Sequence, residues 1–209
     1  VSEMAFGGVE IAMPYGIGVK TAADMLSEQD AVRLLHAAVD SGINFFDTAR
    51  MYGNSETIMG KAFKDRRDQV VLSTKCRHLR DKQGNLPPGS ELQEMIKTSL
   101  HESLDALQTG YADVFMLHQA DLEILDNEEI AGVFSALKKE GLCRATGVST
   151  YTSEETNKAI GTGVWDTIQL PFNLMDQRQE AFFKTASERG IGIVIRSVLL
   201  KGLLSDRGK

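Results

Sequence analysis

Four side chains in the first part of the sequence could together move a proton: Asp47, Tyr52, Lys75 and His118. A phenol with a pKa of about 10 is a poor acid at neutral pH. A nearby ammonium favours its phenolate and lowers that value, and a carboxylate beside the lysine keeps the lysine charged and aimed. A neutral imidazole can orient a carbonyl oxygen by hydrogen bonding. Asp47, Lys75 and Tyr52 thus form a charge-coupled proton donor, with His118 beside them. One histidine and one carboxylate are too few for a metal shell, so no metal site is expected. Taken singly, each residue has a plainer reading: Asp47 as a turn cap, Tyr52 as a packed ring, Lys75 as a solvated strand end, His118 as a hydrogen-bonded histidine. His36 and His101 fall inside helical patterns and His78 in a charged loop, so all three are read as structural.

The elements that must position these residues follow from apolar runs and turn signals. Gly42-Ile43-Asn44-Phe45-Phe46-Asp47 is a short apolar strand that ends in a carboxylate, and Thr48 and Gly53 mark the loop that carries Tyr52. Gln69 to Thr74 is a β-branched run that delivers Lys75, and Tyr111 to Leu117 delivers His118. Further strands are expected at Val1 to Phe6, Arg144 to Val148, Trp165 to Leu170 and Gly192 to Arg196. Helices are expected from the N-cap Ser27 to about Ser41, over Ser55 to Phe63, Ser90 to Leu107, about Asn127 to Gly141, after the capping box Thr152-Ser153-Glu154-Glu155, and over Gln177 to Arg189.

Strand followed by helix, six times over with a seventh strand, implies a parallel sheet, because parallel neighbours need crossovers. The strands are mostly continuous apolar runs, as when both faces are covered. An open doubly wound sheet and a (β/α)8 barrel compete. Gly7 and Gly8 follow the first strand without the G-x-G-x-x-G fingerprint, and a long irregular stretch rather than a helix comes next. Asp47, Lys75, His118, Ser149, Gln169 and Arg196 stand at the ends of six different strands, and a barrel makes them converge on its carboxyl face. The expected fold is therefore the barrel, as a single domain over residues 1–209.

The 209 residues carry 29 acidic and 23 basic side chains, interspersed, for a net charge of -6. That balance fits an ordinary soluble globular protein and gives no footprint for nucleic acid or an anionic membrane. Cys76 and Cys143 match no metal-site spacing and read as reduced thiols of a cytoplasmic protein. The start shows no signal peptide and lacks an initiator methionine, which suggests a trimmed N-terminus.

The motifs resemble those of the aldo-keto reductases. Phe45-Phe46-Asp47-Thr48-Ala49-x-x-Tyr52-Gly53, with Glu56 and Gly60-Lys61-Ala62, is similar to their second-strand signature. Leu72-Ser73-Thr74-Lys75, Asp113-Val114-x-x-Leu117-His118 and Gly147-Val148-Ser149 resemble the motifs of strands three, four and five. The resemblance implies a catalytic tetrad of Asp47, Tyr52, Lys75 and His118 with Tyr52 as general acid, and a (β/α)8 TIM barrel that reduces an aldehyde or ketone, or oxidises the alcohol. It also implies a nicotinamide cofactor, NADP(H) with NAD(H) not excluded. By position, Ser149, Thr150 and Gln169 bind the carboxamide, Gly7 and Gly8 pass near the nicotinamide, and Ser197, Leu199 and Gly202 follow the pyrophosphate. Thr150 replaces a common asparagine. Arg196 stands where many members stack an aromatic ring, and its planar guanidinium could stack instead. Partners are a small carbonyl substrate; an oligomer is possible but not indicated.

Barrels of this type run to about 250 residues, and the eighth strand and N-terminal hairpin are not in the sequence. A barrel truncated after its seventh strand, the ordered or expressed part of a longer protein, is expected. Alternatives are a cofactor-binding regulatory module with little turnover, or an inactive truncated fragment.

Overall fold

The computed structural model describes residues 1–208, apart from the side chains of Ala22 and Arg207; Lys209, the end of the expected domain, lies outside the described residues. Seven strands alternate with helices: β1 (Ala5–Gly7), α1 (Glu28–Asp40), β2 (Phe45–Asp47), α2 (Ser55–Phe63), β3 (Val71–Lys75), α3 (Gly89–Leu107) and β4 (Ala112–Leu117). There follow α4 (Leu122–Asp126), α5 (Glu128–Lys139), β5 (Cys143–Ser149), α6 (Ser153–Thr162), β6 (Thr167–Pro171), α7 (Phe183–Glu188) and β7 (Gly192–Arg196). The strands form one sheet in the order β1-β2-β3-β4-β5-β6-β7. Every pairing is parallel and joins sequence neighbours.

Alternation of side chains along the strands sorts the apolar runs into two layers. Phe46, Leu72 and Phe115 point outward and are completely buried by helices. Phe115 stacks on Phe134 of α5 with centroids 5.0 Å apart. Burial on this scale contributes about 1.5–3 kcal/mol per large apolar side chain. Their neighbours Phe45, Val114 and Met116 point the other way and share a small inner cluster with Val71, Ala145 and Val194. That cluster joins β2 to β7, so the sheet curls round on itself as a TIM-type arc. Both faces of β4 are therefore covered, and all six of its residues are buried.

Local signals set the helix ends. The Ser27 side chain accepts from the Asp30 amide and starts α1. Thr152 and Glu155 close the expected capping box on α6. Gly60 lets α2 approach the end of α3, since a Cβ there would lie 2.8 Å from the Leu107 carbonyl carbon. The structure corrects two helical readings. Asp121 caps the short α4, which has too few residues to show a period. The expected helix from Gln177 to Arg189 is a 3-10 segment, Arg178–Phe182, that turns into α7. The first strand is shorter than expected and starts at Ala5.

The stretches after β1 and β7 meet at the carboxyl end of the sheet. The Ile17 amide donates to the Lys201 carbonyl at 2.8 Å, and the Lys201 ammonium lies 5.6 Å from the centre of the Tyr15 ring. This bridge spans the mouth between the two edge strands. No helix among the described residues is long and apolar enough to cross a membrane.

Candidate active site

Strand ends and a tight loop bring the four proton-handling residues together. Asp47 closes β2 and Lys75 closes β3; His118 directly follows β4. The Lys75 ammonium is fully buried, yet all three of its N–H groups have acceptors: Asp47 Oδ2 at 2.6 Å, Asp47 Oδ1 at 2.8 Å and the Thr48 carbonyl at 2.9 Å. Ser73 adds a hydroxyl donor to Asp47 Oδ1 at 3.1 Å. A buried ion pair survives only when its remaining hydrogen-bonding capacity is met in this way.

Tyr52 lies over this pair. Its amide donates to the Ala49 carbonyl at 3.0 Å, which makes the loop turn back toward β3. Lys75 Nζ is then 5.1 Å from the ring centroid, within the range of a cation–π contact. His118 meets the ring edge-on at 5.4 Å and 85°. Two further links fix the loop: the Arg50 amide donates to the Lys75 carbonyl at 3.1 Å, and the Arg50 guanidinium pairs with Glu56. Glu56 is itself buried and accepts from Thr74 Oγ1 at 2.6 Å.

Gly8 is required by the same corner. A Cβ there would lie 2.7 Å from Ser55 Oγ and 2.9 Å from the Asp47 carbonyl. Without it, Ser55 Oγ reaches the Gly8 carbonyl at 2.8 Å and Thr48 Oγ1 reaches Ser55 Oγ at 2.8 Å. The ends of β1 and β2 and the start of α2 are thereby stitched beneath the site.

Electrostatics correct one expectation. Tyr52 does not titrate below its ordinary value: burial, followed by the Asp47 carboxylate, holds its pKa well above 10, against the smaller opposing pull of Arg196. Burial also lowers Lys75, opposed by Asp47. His118 is pushed down to about 3, first by burial and then by the charge of Lys75, with His78 and Arg196 adding to it. At neutral pH the site thus holds a protonated phenol and a neutral imidazole.

The shift of His118 has a consequence for stability. A folded pKa below the unfolded value of 6.5 means that the unfolded chain takes up the proton first, so this contribution is complete above pH 6.5 and is lost as pH falls toward 3. Between pH 6.5 and about 4.5, above the carboxylate range, urea midpoints of the wild type are expected to fall. His118→Gln should flatten that slope, and an unchanged slope would contradict a buried neutral imidazole.

Asp47, Tyr52 and His118 line a cavity of about 470 Å³ at the carboxyl end of the sheet. Gly7, Gly8, Ser149, Gln169 and Arg196 share its wall, and Ser197, Leu199 and Gly202 continue it beyond β7. Among the described residues the Tyr52 hydroxyl has no hydrogen-bond partner, whereas His118 Nδ1 and Arg196 Nε are buried nitrogens without one. Thr150 is the exception among the residues expected around a cofactor. Its hydroxyl is buried against Thr156 Oγ1 at 2.7 Å and does not face the cavity. Its carbonyl instead accepts from Arg196 Nη2 at 2.9 Å. Sequence reasoning missed Tyr151, which lines the cavity and carries the Arg196 guanidinium 4.2 Å from its ring centre. Its position directly after Ser149 and Thr150, at a strand end, was the available signal. No group of three or more metal-ligating side chains occurs among the described residues.

Comparison with known proteins agrees with this architecture. A family model described as the aldo/keto reductase family matches residues 6–209. An aldo-keto reductase of Bacillus subtilis is 34% identical over 185 residues, which cover 86% of this chain and 55% of that protein. The NADH-specific methylglyoxal reductase of Escherichia coli is 30% identical over 199 residues, covering 86% and 60%. The holo form of an aldo-keto reductase from Bacillus halodurans superposes with a TM-score of 0.80 at 30% identity, over 99% of this chain and 65% of that one. The chain thus spans less than two thirds of the length of each.

Proposed function

The chain belongs to the aldo-keto reductase family, and from that premise we propose that it serves a nicotinamide-dependent oxidoreductase that reduces an aldehyde or ketone, with Tyr52 as general acid. The observation that carries this reading is the fully buried Lys75–Asp47 pair beneath a tyrosine whose hydroxyl is left to the cavity.

Each residue then has a role set by its surroundings. The Tyr52 hydroxyl donates to the substrate oxygen and gives up its proton as negative charge develops there. The Lys75 ammonium, held charged by Asp47, stabilises the phenolate left behind. Neutral His118 orients the carbonyl. A bound nicotinamide cofactor would supply the hydride, so that carbonyl, hydride and proton balance to the alcohol. Such a planar ring with hydrogen-bonding substituents fits this wall: Gly7 leaves open space where a Cβ would stand, Ser149 and Gln169 offer polar side chains, and Arg196 Nε lacks a partner. Ser197, Leu199 and Gly202 would run along the pyrophosphate. Thr150 contributes through its carbonyl and Arg196 rather than through its hydroxyl.

NADP(H) is the cofactor proposed; the NADH-specific relative in Escherichia coli makes NAD(H) the natural comparison. Two buried free cysteines suit a reducing compartment, and we place the protein in the cytoplasm. Absorbance at 340 nm with NADPH, then NADH, against a panel of aldehydes and ketones tests the assignment. Substrate-dependent loss of absorbance is the expected result. Tight cofactor binding without turnover across the panel would instead support a regulatory module.

A further inference from the structure

We propose that Arg196, backed by Tyr151, forms a cationic floor that makes this cavity favour the reduced, neutral nicotinamide ring over the oxidised, positively charged one, with Tyr151 as the positioning residue. This rests on the nicotinamide reading above and adds to it a preference between the two redox forms.

Arg196 is the last residue of β7 and lines the cavity beside Ser149 and Gln169. The Tyr151 ring covers one face of its guanidinium, with Cζ 4.2 Å from the centroid. One edge is pinned, since Nη2 donates to the Thr150 carbonyl at 2.9 Å. Nη1 reaches Ser197 Oγ at 3.4 Å, and Nε is buried without a partner. With one face and one edge occupied, the opposite face is the one left for a ligand. The backbone of Tyr151 is held in turn: its amide donates to Glu155 Oε2 at 2.7 Å, so the capping box of α6 fixes the position from which the ring reaches Arg196.

The charge on this floor is not locally neutralised. Among the described residues no carboxylate pairs with Arg196, unlike the lysine of the site. Its field reaches the neighbouring groups: after burial, it is among the charges that depress both Lys75 and His118. A guanidinium stacked on a neutral dihydropyridine is attractive, as a cation on a π face. Against a pyridinium it is a like charge at stacking distance. In a half-buried, partly screened site that penalty is on the order of tenfold or more in affinity. The adenosine and phosphate groups are the same in both forms and cancel in the comparison. A neutral aromatic ring at this position would carry no such bias.

The ratio of dissociation constants for NADP⁺ and NADPH, from calorimetric titration of the whole chain, reads this directly. The wild type should bind NADPH at least about tenfold more tightly. Arg196→Leu should bring the ratio toward one; Arg196→Lys, which keeps the charge without the plane, should retain part of it. Tyr151→Phe should leave the ratio unchanged, and Tyr151→Ala should reduce it while the circular dichroism melt stays cooperative. A wild-type ratio near one, or an unchanged ratio in Arg196→Leu with both forms still bound, overturns the proposal while leaving the nicotinamide reading intact. An unchanged ratio in Tyr151→Ala removes Tyr151 from it. Failure of the wild type to bind either form overturns both.

Discussion

Tyr52→Phe is expected to slow carbonyl reduction by roughly 10²–10⁴-fold, the range for loss of a positioned general acid. The change removes one oxygen and no packing: the ring still rests against His118 and over Lys75. The hydroxyl that is lost has no partner among the described residues, so folding should be little affected. Cofactor affinity should stay within about twofold if the hydroxyl acts on the substrate oxygen alone. The loss should therefore fall on kcat, and single-turnover rates at saturating cofactor measure it. Equal rates in wild type and variant would remove Tyr52 from the reaction. Because burial and the Asp47 carboxylate raise the phenol's pKa, the proton should be in place throughout the neutral range, and the wild-type rate should show no alkaline limb from Tyr52 there.

The second large effect concerns stability and is asymmetric. Asp47→Asn leaves the Lys75 ammonium buried with no counter-charge, and breaking a buried pair from one side costs about 3–5 kcal/mol. Lys75→Met should cost less. Asp47 keeps 13% of its side-chain surface exposed, where Lys75 has none, and retains the Ser73 hydroxyl as a donor. The carboxylate can therefore draw on water, which a fully enclosed lysine cannot. The double variant Asp47→Asn/Lys75→Met should lose well less than the sum of the two single losses, because no uncompensated charge remains. Urea unfolding of the four proteins supplies the cycle. Additive losses would mean that the pair is not coupled in the folded state.

The strand ends were legible because a run such as Val70-Val71-Leu72 declares a buried strand and the first charged residue after it must lie at the rim. Asp47, Lys75 and His118 emerge together for that reason. The helix boundaries at Ser27 and Thr152 carry their own hydrogen-bonding chemistry and could be read locally. What could not be read was depth. The proximity of a lysine to Tyr52 suggested an acidified phenol, but burial and the Asp47 carboxylate raise its pKa instead, and burial belongs to the assembled sheet. The direction of the Thr150 hydroxyl was hidden for a related reason: it has a choice between the cavity and Thr156, and only the packing of α6 against the strand end decides it. Tyr151 was overlooked because it lies one residue past the motif, while its partner Arg196 is far along the chain. The short α4 left no periodic trace at all.

The link between Ile17 and Lys201 differs in kind from the rest of the architecture. Every strand pairs only with its neighbour in sequence, so the sheet can assemble by extending one crossover unit at a time. The Ile17 amide, by contrast, waits until chain segments from opposite ends of the sheet are brought together, and few buried contacts accompany it. Its closing should come late in folding and its opening early, at a free energy well below that of global unfolding. Native-state hydrogen exchange would then find Ile17 labile while the amides of β4 stay protected. Ligand exchange at the mouth would follow that local opening, so the residence time of a bound molecule could be tuned at Gly16 and Lys201 without touching the residues that handle the proton.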